Sequence, residues 1–270
     1  MNLVSLALLL DLGSSLNFYK AIVSYKGTQF SGWQKQPDQI SIQGEIEKVV
    51  AKISNCKISD IQIIGSGRTD TGVHALGQAI RIATPLRIES SAFKKAINSL
   101  IHADIKLKEV EVASEDFNPV FDAIEKEYHY YFSTSKDISP HYQELLTFLN
   151  QELDLELMNQ ACSLFIGEHD FENFRTVGTP VKSTVRTITE CRVEKVSHHI
   201  FDFPENTFVL KIKGNGFLKQ MVRLIMASVW SVGSSKKSIE DLRDYMAIQS
   251  TQKFAPTAPP QGLYLVQVSY

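Results

Sequence analysis

From Tyr19 onward the chain changes hydrophobic period in a fixed order, and that order limits the fold more than any single motif does. "YKAIVSY" (Tyr19 to Tyr25) alternates as a strand, and a glycine-bearing connection, "KGTQFSGWQKQPDQ", follows it. Ser41 then stands as a helix N-cap before a stripe of Ile42, Ile46, Val49, Val50 and Ile53 at helical spacing. "IQIIG" and "QAIRIAT" read as strands, Ser90 to Leu100 as a helix, and "IKLKEVEVA" as a strand with alternating charge. The second half repeats the order with longer connections. Its members are the strand "EYHYYFST", a helix around Leu155 to Ile166, strands at Val185 to Val196 and Thr207 to Lys213, and an apolar helix from Phe217 to Val232. A helix from Ile239 to Ala247 and the strand "LYLVQVSY" close the chain. The expected fold class is α+β: two ferredoxin-like βαββαβ halves sharing an extended antiparallel sheet with flanking helices. The expected divisions are residues 17–116 and 117–270, with residues 1–16 as an N-terminal extension outside the core.

Charge and cysteine usage narrow the function classes. Lys and Arg number 28 against 30 Asp and Glu, a formal net charge of -2, which excludes a bulk-cationic nucleic-acid binder but not a local basic face. Cys56, Cys162 and Cys191 are isolated and outside any CxxC spacing, so neither a disulfide framework nor a zinc site is expected, and a reducing cytoplasm fits. The apolar run from Leu3 to Leu10 has no preceding Lys or Arg and is followed by Asp11, which argues against a signal peptide. No later segment approaches the roughly 20 apolar residues of a membrane span.

The segment "GSGRTDTGVHALGQ" (Gly65 to Gln78) concentrates an arginine, an aspartate and a histidine among glycines, more of them than a tight turn needs. It is not a dinucleotide fingerprint, because its sixth residue is Asp70 and a strand, not a helix, follows. As a plain hairpin connection it would use Asp70 for a local backbone hydrogen bond.

"GRTDTGVHALGQ" resembles the catalytic loop of the bacterial tRNA pseudouridine synthase family that acts in the anticodon arm. The likeness continues in order through "YKGTQFSGWQKQ" with "SIQGEIEKVV", "FDAIEKEYHYYF", "GEHDFENF", "GNGFLKQMVRLIM" and "APTAPPQGLYLVQVSY", from about Tyr19 to Tyr270. The resemblance implies isomerisation of uridine to pseudouridine at tRNA positions 38, 39 and 40, without metal or organic cofactor, by a cytoplasmic homodimer with no membrane attachment. It implies Asp70 as the catalytic carboxylate, a role like that of a glycosidase carboxylate at a sugar carbon. Arg68 is then expected to help hold the target nucleotide out of the helix, and Tyr128 to stack on the uracil. Arg223 is expected to pair with Asp70, since an arginine in so apolar a run needs a carboxylate mate if it is buried.

The residues by themselves leave alternatives open. Tyr130 shares a strand face with Tyr128, and Lys219 lies one turn before Arg223, which permits a solvated basic edge instead. His74 is expected to serve a structural hydrogen bond, and Trp33 is either an RNA contact or a packing anchor. Lys211 and Lys213 share a strand face that either meets phosphates or is simply solvated. His169 and Asp170 lack the spacing of a metal motif. The chain departs from the family at Asn118 and Val120, where a histidine and an arginine are usual, and at Lys126 and Glu127, where arginines are; grip on tRNA is the property at stake. Two rivals stand beside the isomerase: a noncatalytic RNA-binding protein on the same fold, and a glycosidase or nucleoside hydrolase, which would want a second carboxylate to activate water.

Overall fold

The structure is a computed structural model that describes residues 16–135, 139–176, 178, 181–196 and 203–270. The expected extension at residues 1–16 lies outside the described residues except for Leu16. The first half contains β1 (Asn17–Tyr25), α1 (Ile42–Ile53), β2 (Gln62–Gly65), β3 (His74–Thr84), α2 (Ser90–Asn98) and β4 (Ile105–Val112). The second contains β5 (Glu125–Ser133), β6 (Thr147–Phe148), α3 (Leu155–Ser163), β7 (Gly167–Asp170), β8 (Val185–Lys195), β9 (Thr207–Gly214), α4 (Met221–Gly233), α5 (Ile239–Ala247) and β10 (Leu263–Ser269).

All ten strands form one sheet, in the order β4-β1-β3-β10-β5-β9-β8-β7, with β2 on β3 and β6 on β5. The ferredoxin-like arrangement therefore appears twice, as β4-β1-β3-β2 and as β10-β5-β9-β8. The two meet because β2 is short. It pairs with β3 only from Ile80 to Ala83, which leaves the start of β3 free, and β10 pairs there in parallel at His74 and Ala75. The last strand of the chain thus begins beside the segment that follows Asp70.

Local chemistry explains the elements. The Ser41 hydroxyl accepts the Gly44 N–H and caps α1, and the expected stripe from Ile42 to Val50 is buried. One contiguous core joins the helices to one face of the sheet. On the other face, Tyr131, Leu146, Val209 and Tyr264 form a smaller cluster, so β5 alternates between two apolar layers. The apolar helix of the second half begins at Met221 and not at Phe217. Gln220 has φ +63, a left-handed conformation that stops the helical path, and Phe217 is thereby left in the preceding loop.

Candidate active site

The Gly65 to His74 segment is pinned from several directions. At its base the buried Gln78 carboxamide bonds Ser66 Oγ and the Gly67 carbonyl, at 3.0 and 2.7 Å. Lys126, reaching across from β5, donates to the Ser66 carbonyl at 2.6 Å. Thr69 is buried and shares a hydrogen bond of 2.8 Å with the Tyr25 hydroxyl. Val73 N–H closes the turn on the Asp70 carbonyl, and Gly72 supplies the φ of +79 that the turn requires. Glycine is needed at 65 for space, since a Cβ there would lie 2.6 Å from the Trp33 ring. Trp33 is 2 % exposed and is a packing anchor for the loop, which decides between its two readings.

These constraints hold Asp70 toward Arg223 of α4. Arg223 Nη1 donates to Asp70 Oδ2 at 3.1 Å, and its Nε donates to the Ala258 carbonyl at 2.7 Å. The side chains are 12 % and 24 % exposed, so the pair is shielded while the carboxylate remains reachable. Ordinary carboxylate pairing leaves the second oxygen free to face a ligand. Lys219 precedes α4, so Arg223 alone occupies the inward position.

Tyr128 lies close by. Its ring meets Phe217 edge to face at 5.0 Å, and burial, followed by the Asp70 charge, pushes its phenol well above the usual tyrosine range. It is therefore a neutral phenol at physiological pH. Among the described residues its hydroxyl has no hydrogen-bond partner. Tyr130, two residues on, is spent on structure: its hydroxyl donates to the Pro259 carbonyl at 2.7 Å and accepts from Thr147 at 2.6 Å. Arg68 is exposed at the mouth and donates from Nε to Gln34 Oε1 at 3.0 Å.

The family model for tRNA pseudouridine synthase matches residues 21–122 and 161–270. The tRNA pseudouridine synthase A of Oceanobacillus iheyensis is 38% identical over 252 residues, covering 93% of this chain and 96% of that protein. That of Listeria welshimeri is 38% identical over 253 residues (93% and 98%), and that of Latilactobacillus sakei 34% over 252 (93% and 98%). The chain belongs to the tRNA pseudouridine synthase family.

Pseudouridine synthases are isomerases, and this one brings Asp70, Tyr128 and Arg223 together from β-loop, strand and helix, with Arg68 at the rim. Sequence reasoning missed the groups that hold them: Tyr25, Gln34, Gln78, the Ala258 carbonyl, and Lys126 as a support. Gln78 had a visible signal, the one side-chain amide in its strand, set next to Ala79 and Ile80; a backbone carbonyl such as Ala258 has none. At the departures from the family pattern, Asn118 caps its own turn through Val120 N–H and Phe121 N–H, and Glu127 pairs with His129 and Lys213. Lys211 pairs with Glu194 at 2.5 Å and Lys213 with Glu190 at 3.2 Å, so neither is simply solvated. Among the described residues there is no cluster of metal-ligating side chains, and no helix is long and apolar enough to cross a membrane.

His74 of this synthase carries a structural load. Its Nδ1 accepts the Gly27 N–H at 3.0 Å, so the proton sits on Nε2, which donates to the Gln261 carbonyl at 3.1 Å, and its ring stacks on Tyr264. Burial lowers its pKa from 6.5 to about 4. The unfolded chain binds this proton more readily than the folded one, so the stability involved is full above pH 6.5 and is lost as pH falls from there toward 4. The loss should be about 3 kcal/mol. Urea midpoints measured across that window should fall with acidification in the wild type and more shallowly in His74→Gln; parallel curves would remove the histidine from this role.

Proposed function

We propose that the protein isomerises uridine to pseudouridine at positions 38, 39 and 40 of the tRNA anticodon stem-loop, with Asp70 as the catalytic carboxylate. The reaction breaks the C1'–N1 bond, rotates the uracil, forms C1'–C5, and moves a proton from C5 to solvent while N1 gains one. Heterolysis leaves an electron-deficient centre that a fixed carboxylate can capture or stabilise. Asp70 meets this need: Arg223 fixes one oxygen, and the other is available. Tyr128 offers an aromatic face beside it for a base taken out of the stack. A single carboxylate suffices because no water is activated.

Arg68, exposed beside the loop, is read as the group that occupies the space the extruded nucleotide leaves. The protein is read as a cytoplasmic homodimer, because a tRNA is wide compared with one chain of this size. The observation that carries the catalytic reading is the Asp70–Arg223 pair, a shielded ion pair assembled from both halves of the chain. A noncatalytic RNA-binding protein would need it only as a strut between the halves. Pseudouridine-specific chemical labelling of tRNA from cells with and without the gene should show modification at positions 38 to 40 only with it. Unchanged labelling would sink the proposal, and loss at other tRNA positions would reassign the substrate.

A further inference from the structure

Arg68 stands at one end of a hydrogen-bond chain whose direction is fixed at both ends. Its Nε donates to Gln34 Oε1 at 3.0 Å; Gln34 Nε2 donates to Gln43 Oε1 at 2.8 Å; Gln43 Nε2 donates to Glu47 Oε1 at 3.0 Å. An arginine can only donate and an ionised carboxylate can only accept, so neither amide can flip without putting donor against donor or acceptor against acceptor. Glu47 is 6 % exposed, and its other oxygen accepts from Lys35 Nζ at 2.8 Å. Gln43 and Glu47 are one turn apart on α1, which sets the rigid end of the chain. Gln43 is further held by the Ile63 carbonyl and by Lys35 N–H.

The backbone carries the same tie. Trp33 N–H donates to the Thr69 carbonyl at 3.1 Å, and Gln43 N–H donates to the Trp33 carbonyl at 3.0 Å. The strap bearing Gln34 is thus fastened on one side to the residue before Asp70 and on the other to α1. Among the described residues only the Nε of Arg68 is engaged, which leaves both terminal nitrogens without a protein partner there.

We propose that Gln34 and Gln43 are positioning residues that hold Arg68 in one orientation beside Asp70, so that its guanidinium meets the RNA already aligned. This rests on the role read above for Arg68. A free arginine side chain samples many rotamers, and removing that search before the RNA arrives lowers the cost of inserting it. Arg68 is inserted only after tRNA has docked, so its earlier alignment should affect the rate of the step that extrudes the base and not the affinity.

The test is a double-mutant cycle on Gln43→Met and Arg68→Ala, read by single-turnover pseudouridine formation, by filter binding of tRNA, and by the arginine Nε–H signals of the free protein. Gln43→Met should slow turnover about tenfold, leave tRNA affinity within about twofold, and add nothing on the Arg68→Ala background. The Arg68 Nε–H signal, identified by its absence in Arg68→Ala, should lose its dispersion in Gln43→Met. Glu47→Gln, which keeps shape and removes only the charged acceptor while the Ile63 carbonyl and the Lys35 N–H still orient the Gln43 amide, should move both readouts the same way to a smaller extent. A loss that persists undiminished in Arg68→Ala, or an unchanged Nε–H signal in Gln43→Met, would overturn the proposal. Full activity of Arg68→Ala would overturn it too while leaving the Asp70 reading intact, whereas inactivity of the wild type would count against that reading instead.

Discussion

The Asp70→Asn protein should bind tRNA within about twofold of wild type and form no measurable pseudouridine, a loss of at least about a thousandfold. The reason lies in the site's geometry. Asparagine has the same shape, and its amide oxygen can still accept from Arg223 Nη1, so the loop, the Tyr25–Thr69 contact and the Lys126 support stay in place. What disappears is the negative charge at the point where, on the proposed mechanism, the glycosidic bond breaks. Release of tritium from C5-labelled uridine in tRNA reports turnover, and filter binding controls for folding and grip. Residual activity within about tenfold of wild type, a barrier change of only about 1.4 kcal/mol, would make Asp70 a turn residue and remove the main support for the proposed function.

Arg223→Met should be the more disruptive variant for the protein as a whole. The substitution keeps an apolar, helix-compatible side chain in α4 but leaves two acceptors, Asp70 Oδ2 and the Ala258 carbonyl, without their donor. Breaking a buried pair by removing one partner costs about 3–5 kcal/mol; with Asp70 partly exposed, about 2–3 kcal/mol of stability is expected here. Turnover should fall at least about a hundredfold, because the carboxylate loses the group that fixes its direction. Arg223→Lys should recover stability better than turnover, since an ammonium carries the charge but gathers its donors on one nitrogen, without the rigid plane that lets Nη1 and Nε reach Asp70 and Ala258 separately. Urea unfolding beside the tritium assay separates the two. Near-normal turnover in Arg223→Met would show that the ion pair is only a strut between the halves.

The order of elements was legible because each strand or helix is written in its own hydrophobic period: the stripe from Ile42 to Ile53 needs no tertiary information, and neither does the Ser41 cap. The start of α4 was not legible. "FLKQMVRL" is helical in period throughout, and only the left-handed Gln220, set by the turn that brings Phe217 against Tyr128, moves the boundary to Met221.

The site divides in the same way. The residues that resemble the family's motifs could be named from the sequence, and Asp70, Arg68, Tyr128 and Arg223 were. Periodicity could not choose between Tyr128 and Tyr130, nor between Arg223 and Lys219, because both members of each pair fit the same pattern. In the folded chain the members of each pair differ in hydrogen-bond supply: Pro259 and Thr147 consume the Tyr130 hydroxyl, while Arg223 has Asp70 and the Ala258 carbonyl before it. The sequence alone determined which chemical groups the chain carries and which local elements bear them, since period and capping act over a few residues. Only the folded chain decided which groups face one another, because Asp70 and Arg223 stand 153 residues apart and meet through a sheet whose joint, β10 on β3, no local pattern encodes.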